Sequence, residues 1–275
     1  MRPSVYPSRV SAIRSVKLPD LVLGEPSARP TVIVPVLGAT AEEIASQVAD
    51  FAGRDVDLVE WRVDHLAASA DAGAVLDAAT AVATRLGGRP LLATVRTAAE
   101  GGAADLSDRE YARLVQALAG SGVVDMVDVE HGRESAVEAI AAARGAGVPV
   151  VVSAHDVVTT PPVEEMVDRL RAMQDSGADV VKLAVTPHSQ ADVLALLEAT
   201  STMHTEHARV PVITMAMGPL GMVTRLVGHL FGSAATFASA GRASAPGQPG
   251  LADLQSVLDA VARVTAPAQA RPAGS

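Results

Sequence analysis

The 275-residue chain has no cysteine, which excludes disulfides, thiolate metal sites and a cysteine nucleophile, and is compatible with a reducing compartment such as the cytoplasm. Aromatic residues are nearly as scarce. Three Phe, two Tyr and one Trp are too few for a base-stacking nucleic-acid platform. No apolar run is long enough to span a bilayer, so no membrane segment is expected, and the Ala, Val and Leu content belongs to a globular core. Positive charge is in deficit too: 22 Lys+Arg against 31 Asp+Glu leave a net charge of −9. That balance argues against duplex DNA or an anionic membrane as the main partner. The basic N-terminal stretch through Lys17 lacks the apolar core of a secretory signal. Among the 22 basic residues lysine itself is almost missing: Lys17 and Lys182 stand against 20 arginines.

Arginine replaces lysine at most surface positions, so the two lysines that remain are either incidental or sites where a primary amine matters. Lys17 lies in a polar stretch of no obvious chemistry. Lys182 lies in Val180-Val181-Lys182-Leu183-Ala184-Val185, an apolar, β-branched run. An edge strand could point its ammonium at solvent; an interior strand would bury it. The local pattern leaves both open.

Apolar β-type runs alternate with helical stretches along the chain. The expected strands cover 31–37, 58–63, 90–95, 126–130, 149–153, 180–185, 211–217 and 234–238. The helices between and after them cover 41–51, 70–86, 107–119, 134–144, 163–176, 190–203, 221–230 and 251–264. Eight parallel strands, apolar on both faces and covered by helices, favour a closed (β/α)8 TIM barrel. A doubly wound open sheet is the rival, but neither a Gly-x-Gly-x-x-Gly nor a Walker A loop supports its nucleotide-binding forms. The expected organisation is an extension at 1–24, with a hairpin at 16–24 closing the barrel floor, a barrel at 25–265, and a disordered Ala/Pro-rich tail at 266–275.

Barrel chemistry collects at the carboxyl ends of the strands. There the sequence places Glu60-Trp61-Arg62-Val63-Asp64-His65, Arg96-Thr97 running to Glu100, Asp128-Val129-Glu130-His131, Ser153-Ala154-His155-Asp156 and Lys182, with Arg225 and the loop Ser244 to Gln248 after the last strands. Alternation puts Glu60, Arg62 and Asp64 on one side, where they could line the lumen. Each group has a structural reading: Glu60 with Arg62, or Asp128 with Glu130, could be ion pairs that only hold the barrel, and Arg225 could sit on a helix surface. Together they suggest chemistry. An amine in an apolar lumen among other cations has its charged form disfavoured and can attack a carbonyl. His155 is of the right type to take the proton that an iminium acidifies and to pass it to a leaving group, with Glu100 orienting the imidazole. Arg62, Arg96 and Arg225 suit a substrate bearing carboxylate and hydroxyl oxygens. The residues thus read as a Schiff-base lyase or aldolase acting on a small anionic keto compound. Two rivals stay open: a metal-dependent lyase or aldolase with Glu60, Asp128, Glu130 and His155 as ligands, and a non-catalytic barrel that binds a metabolite.

These segments, with Ile213 to Gly218, Gly232-Ser233, Thr236-Phe237 and Ala243 to Gln248, occur in one order across nearly the whole barrel and resemble the type I 3-dehydroquinate dehydratases of the shikimate pathway. The resemblance implies a (β/α)8 barrel, usually a homodimer, that dehydrates 3-dehydroquinate to 3-dehydroshikimate without metal or organic cofactor. It implies that Lys182 forms an iminium at the C3 carbonyl. His155 then removes the C2 proton and protonates the departing C1 hydroxyl in a syn elimination, held by Glu100. Glu60, Arg62 and Arg96 contact ring hydroxyls or support the site. Arg225, Ser244 and Gln248 bind the carboxylate, the last two from a closing loop. Two positions depart from the family pattern: Ala154 stands where a tyrosine often precedes the histidine, and Val157 where a phenylalanine often follows the His-Asp pair. Both bear on ring packing and affinity at the active-site wall, and leave Phe237 as the expected lining ring.

Overall fold

The structure is a computed structural model that describes residues 13–25, 27, 29–50, 53–241, 244–245 and 247–265. The first twelve residues and the Ala/Pro-rich tail lie outside the described residues. The chain opens with an antiparallel hairpin, β1 (Val16–Leu18) and β2 (Leu21–Leu23), turned by Asp20 in a left-handed conformation (φ 53°). Eight strand and helix pairs follow. They are β3 (Thr31–Val36) with α1 (Ala41–Asp50), β4 (Leu58–Arg62) with α2 (Ala72–Ala83), β5 (Leu91–Thr94) with α3 (Asp108–Gly120), and β6 (Met126–Glu130) with α4 (Ala136–Gly145). The second half comprises β7 (Val150–Asp156) with α5 (Val163–Asp175), β8 (Val180–Val185) with α6 (Gln190–Thr202), β9 (Val212–Ala216) with α7 (Met222–Val227), and β10 (Ala235–Phe237) with α8 (Leu251–Thr265).

The strands form one parallel sheet in the order β10-β3-β4-β5-β6-β7-β8-β9. The Ala234 N–H donates to the Val212 carbonyl at 2.7 Å beside a Val212–Ser233 bridge, so the two outer strands meet and the sheet all but closes into the expected barrel. Helix starts follow local chemistry: Ser107 with Glu110 and Ser189 with Asp192 form capping boxes on α3 and α6, satisfying first-turn N–H groups. One expected helix is shorter than its periodicity suggests. The 221–230 segment is helical only to Val227; a 3-10 turn follows and ends at Gly232, whose φ of 104° breaks the helix.

Period-two alternation splits each strand between two cores. Outward residues such as Trp61, Val127, Val152 and Leu183 pack under the helices. Inward residues at the amino ends, among them Ile33, Leu58, Leu92, Met126, Val151, Val180 and Ile213, form an apolar floor onto which the hairpin sets Val16 and Leu23. The polar inward residues sit above that floor. Among the described residues no helix is long and apolar enough to cross a membrane.

The floor is a load on stability that can be measured. Leu23, 1% exposed, is expected to cost about 2–4 kcal/mol when replaced by alanine, seen as a lower urea midpoint at unchanged slope. An unchanged midpoint would mean that the hairpin is not part of the barrel core.

Candidate active site

Lys182 lies in the middle of β8, paired to β7 on one side and β9 on the other, and is 4% exposed. That overturns the edge-strand alternative. Arg96 is a neighbouring cation, as expected, and shares Asp128 with Lys182, but carboxylates also surround the amine. The ammonium Nζ makes its ion pairs with carboxylates, Glu60 Oε1 at 3.5 Å and Asp128 Oδ2 at 3.6 Å, and lies 4.8 Å from the centre of the Phe237 ring. Glu60 is itself held by the Thr94 hydroxyl at 3.0 Å.

Arg96, at the end of β5, is fully buried and binds four partners. Its Nη2 donates to Asp128 Oδ1 at 2.6 Å, and its Nη1 lies 3.1 Å from Glu100, Glu130 and the Ser153 hydroxyl. Glu130 in turn accepts from the backbone N–H and hydroxyl of Thr97 at 2.8 and 2.7 Å. Asp128 and Glu130 therefore hold arginine and the following turn, not each other. That turn carries Glu100. Gly101 is left-handed (φ 79°), and a Cβ at Gly102 would lie 2.1 Å from the Arg96 carbonyl oxygen, so glycine is required for the close return. Asp64 fastens the same turn from β4: it accepts both donors of the Arg62 fork at 2.8 and 2.7 Å, and the backbone N–H groups of Arg96 and Ala103.

The turn delivers Glu100 Oε2 to within 2.8 Å of His155 Nδ1. Burial pushes the Glu100 carboxyl up to about 8 despite the Arg96 guanidinium. Burial first, then the charges of Arg96, Lys182 and Arg62, hold the His155 imidazole well below its ordinary range. Neither partner favours its charged form alone, so the pair handles one proton between its two members.

All nine candidate residues line one cavity of about 420 Å³ at the carboxyl ends of the strands. Lys182, Glu60 and Arg96 form its base, and His155 and Glu100 one wall. Arg225 faces them from α7, buried and not on a helix surface. Among the described residues its Nη1 reaches only the Met215 sulfur at 3.6 Å and Nε and Nη2 find no partner, and burial pushes its pKa down to about 10. A buried guanidinium with free donors beside a cavity is an acceptor site for an anion. Ser244 and Gln248 are tied together at the rim, where the Ser244 N–H donates to Gln248 Oε1 at 2.9 Å. Phe237 lines the cavity as expected, and so does Val157; Ala154 does not. Met215, Met217 and Leu220 complete the apolar wall, with nothing in their sequence context to separate them from core residues. Among the described residues no three His, Asp or Glu side chains converge as a metal-ligand set; Asp128 Oδ1 is taken by Arg96 and Ser153, and both Glu130 oxygens by Arg96 and Thr97.

The model of the type I 3-dehydroquinase family matches residues 32–264. The chain belongs to that family. It is 44% identical over 248 residues to the 3-dehydroquinate dehydratase of Salmonella agona, covering 90% of this chain and 98% of the relative. The type I 3-dehydroquinate dehydratase of Clostridium difficile, solved with covalent modified comenic acid, superposes with a TM-score of 0.87 at 37% identity, over 92% of this chain and 100% of that one. The 3-dehydroquinate dehydratase of Geobacillus kaustophilus superposes equally well, with a TM-score of 0.87 at 36% identity over 92% and 98% of the two chains.

The buried pair sets a pH signature in this type I 3-dehydroquinase fold. Glu100 rises from an ordinary value near 4.5 to about 8, so the native chain holds a proton that the unfolded chain has lost, and stability falls as pH rises through that window. His155 acts oppositely, its lowered value costing stability as pH falls below the ordinary 6.5. Between pH 6.5 and 8 only the Glu100 effect of this pair remains, a loss on the order of 1.5 kcal/mol. Glu100→Gln is expected to flatten that fall in urea titrations at the two pH values; an unchanged slope would refute the assignment.

Proposed function

We propose that the chain dehydrates 3-dehydroquinate to 3-dehydroshikimate by syn elimination through a Schiff base on Lys182. The observation that carries this reading is the single amine of the barrel lumen, buried between two carboxylates at the base of a cavity whose opposite wall is the unpartnered Arg225. A substrate carboxylate on Arg225 directs the ring and its carbonyl toward Lys182. Ser244 and Gln248 close on the carboxylate from the rim, and Glu60, Arg62 and Arg96 offer partners to the ring hydroxyls.

The steps then balance on groups already in place. Lys182 gives a proton to Glu60 or Asp128, attacks the C3 carbonyl and loses water to give the iminium. Once the pair has released its shared proton, His155 Nδ1–H donates to the Glu100 carboxylate, His155 Nε2 takes the C2 proton, and the electron pair moves toward the iminium nitrogen. The enamine expels the C1 hydroxyl, which leaves as water with the proton from His155. Hydrolysis of the conjugated iminium returns the amine. Under this reading residues 25–265 are the catalytic domain, and residues 1–24 are an extension whose hairpin closes the barrel floor. The working assembly is a homodimer in the cytoplasm, which the family likeness and the lack of cysteine support.

Two measurements test the chemistry. Borohydride added with 3-dehydroquinate in excess EDTA is expected to leave a reduced adduct on Lys182 by peptide mass spectrometry. Lys182→Arg keeps the charge but cannot form the imine, and is expected to lose on the order of 10⁴-fold in turnover; substantial residual activity, or activity lost to the chelator alone, would overturn the mechanism.

A further inference from the structure

A second cavity, of about 440 Å³, also borders the His155 and Glu100 pair. It shares Glu100, His155 and Val157 with the main cavity, which places the pair as a wall between two spaces. Its own wall is built of small residues, Ala99, Gly132 and Ala154, with His131, Asp156 and Arg169 as polar members. Ala154 follows the inward-facing Ser153 and precedes the inward-facing His155 on β7, so its side chain leaves the lumen and enters this space.

Glu100 is two-faced across that wall. Its Oε2 is engaged by His155 and Arg96. Its Oε1 makes no hydrogen bond with a described residue and is the atom nearest to where a Cβ at Gly132 would stand, at 3.9 Å, and the Glu100 side chain keeps 14% of its surface exposed. The groups that face the carboxyl are Arg96 from β5, Asp128 and Glu130 from β6, His131 after β6, His155 from β7 and Lys182 from β8. Of these, His131 stands on the second cavity's side.

We propose that this second cavity is a solvent port to the proton-handling pair, giving water and small carboxylic acids access to Glu100 while substrate fills the main cavity. The exchange is balanced within the carboxyl: water takes a proton from Oε1 as His155 Nδ1 gives one to Oε2, or the reverse, and no bond to substrate forms or breaks. The port keeps the pair in proton equilibrium with bulk water when the other route to it is blocked. The proposal rests on the reading of His155 and Glu100 as the proton-transfer pair.

Chemical rescue tests it. Glu100→Ala removes the carboxyl and enlarges the port, so formate and acetate added at saturating 3-dehydroquinate are expected to restore turnover by about tenfold or more. The rescue is expected to saturate and to leave the substrate KM unchanged, because acid and substrate enter different cavities. Ala154→Leu fills the port without touching the main cavity. By itself it is expected to leave turnover within about threefold of wild type; combined with Glu100→Ala it is expected to abolish the rescue. Gly132→Val closes the port from the opposite wall and repeats the test if the first double variant fails to fold. No rescue, rescue that competes with substrate, or rescue that survives both plugs overturns the port. Failure of the borohydride trap with native Glu100 would instead strike the reading beneath it, so the two failures are distinguishable.

Discussion

The lumen is organised around one guanidinium. Arg96 is enclosed by Asp128, Glu130, Glu100 and Ser153, and these carboxylates raise its already high pKa further despite burial. A buried charge is tolerable only when its partners are themselves placed and satisfied, and removing one member of such a set typically costs about 3–5 kcal/mol. Here the partners reach the arginine from β6, β7 and the turn after β5. The same fork that neutralises Asp128 and Glu130 therefore fixes the height at which Glu100 meets His155. Geometry at the Glu100 and His155 pair depends on charge balance on neighbouring strands.

This arrangement explains why the barrel divides its labour by depth. At the amino ends the inward positions are aliphatic, and the hairpin adds Val16 and Leu23 to the same packing, so stability there comes from apolar area removed from water. One layer higher, charged and hydroxyl side chains alternate around the lumen: Glu60, Thr94, Asp128, Ser153 and Lys182. At the mouth, Arg62 is tied to Asp64, while the Arg225 Nε and Nη2 donors find no partner among the described residues. That buried guanidinium faces the cavity.

Much of this was legible in the chain. The eight strand and helix pairs follow from period and punctuation, and Lys182 stands out because lysine is rare and its strand is apolar. What alternation cannot supply is the height of one strand relative to its neighbour. Asp128 and Glu130 are two residues apart and read as a local pair, yet both turn to Arg96, more than thirty residues earlier. The same missing information hid the carboxylates around Lys182, since Glu60 and Asp128 reach it from other strands. Ala154 is a different case: the family pattern put it on the wall of the main cavity, whereas the alternation between Ser153 and His155 sends it outward to the second cavity. The other silent residues were glycines: the steric demand at Gly102 comes from a backbone carbonyl six residues back.

The choice of lysine at position 182 can now be argued from packing as well as composition. Its ammonium stands 3.5 and 3.6 Å from Glu60 and Asp128, distances of ion pairs more than of good hydrogen bonds. Asp128 Oδ2 consequently lacks a hydrogen-bond partner, an expense that a planar, five-donor guanidinium is better suited to relieve. In a chain with 20 arginines and two lysines, stability alone favours arginine at this point. A guanidinium held in two such bonds would be fixed against the base of the cavity and has no nucleophilic nitrogen to offer. The loosely held amine leaves one carboxylate oxygen short of a donor and gains a nitrogen free to leave its ion pairs, lose a proton to the oxygen beside it, and bond to carbon.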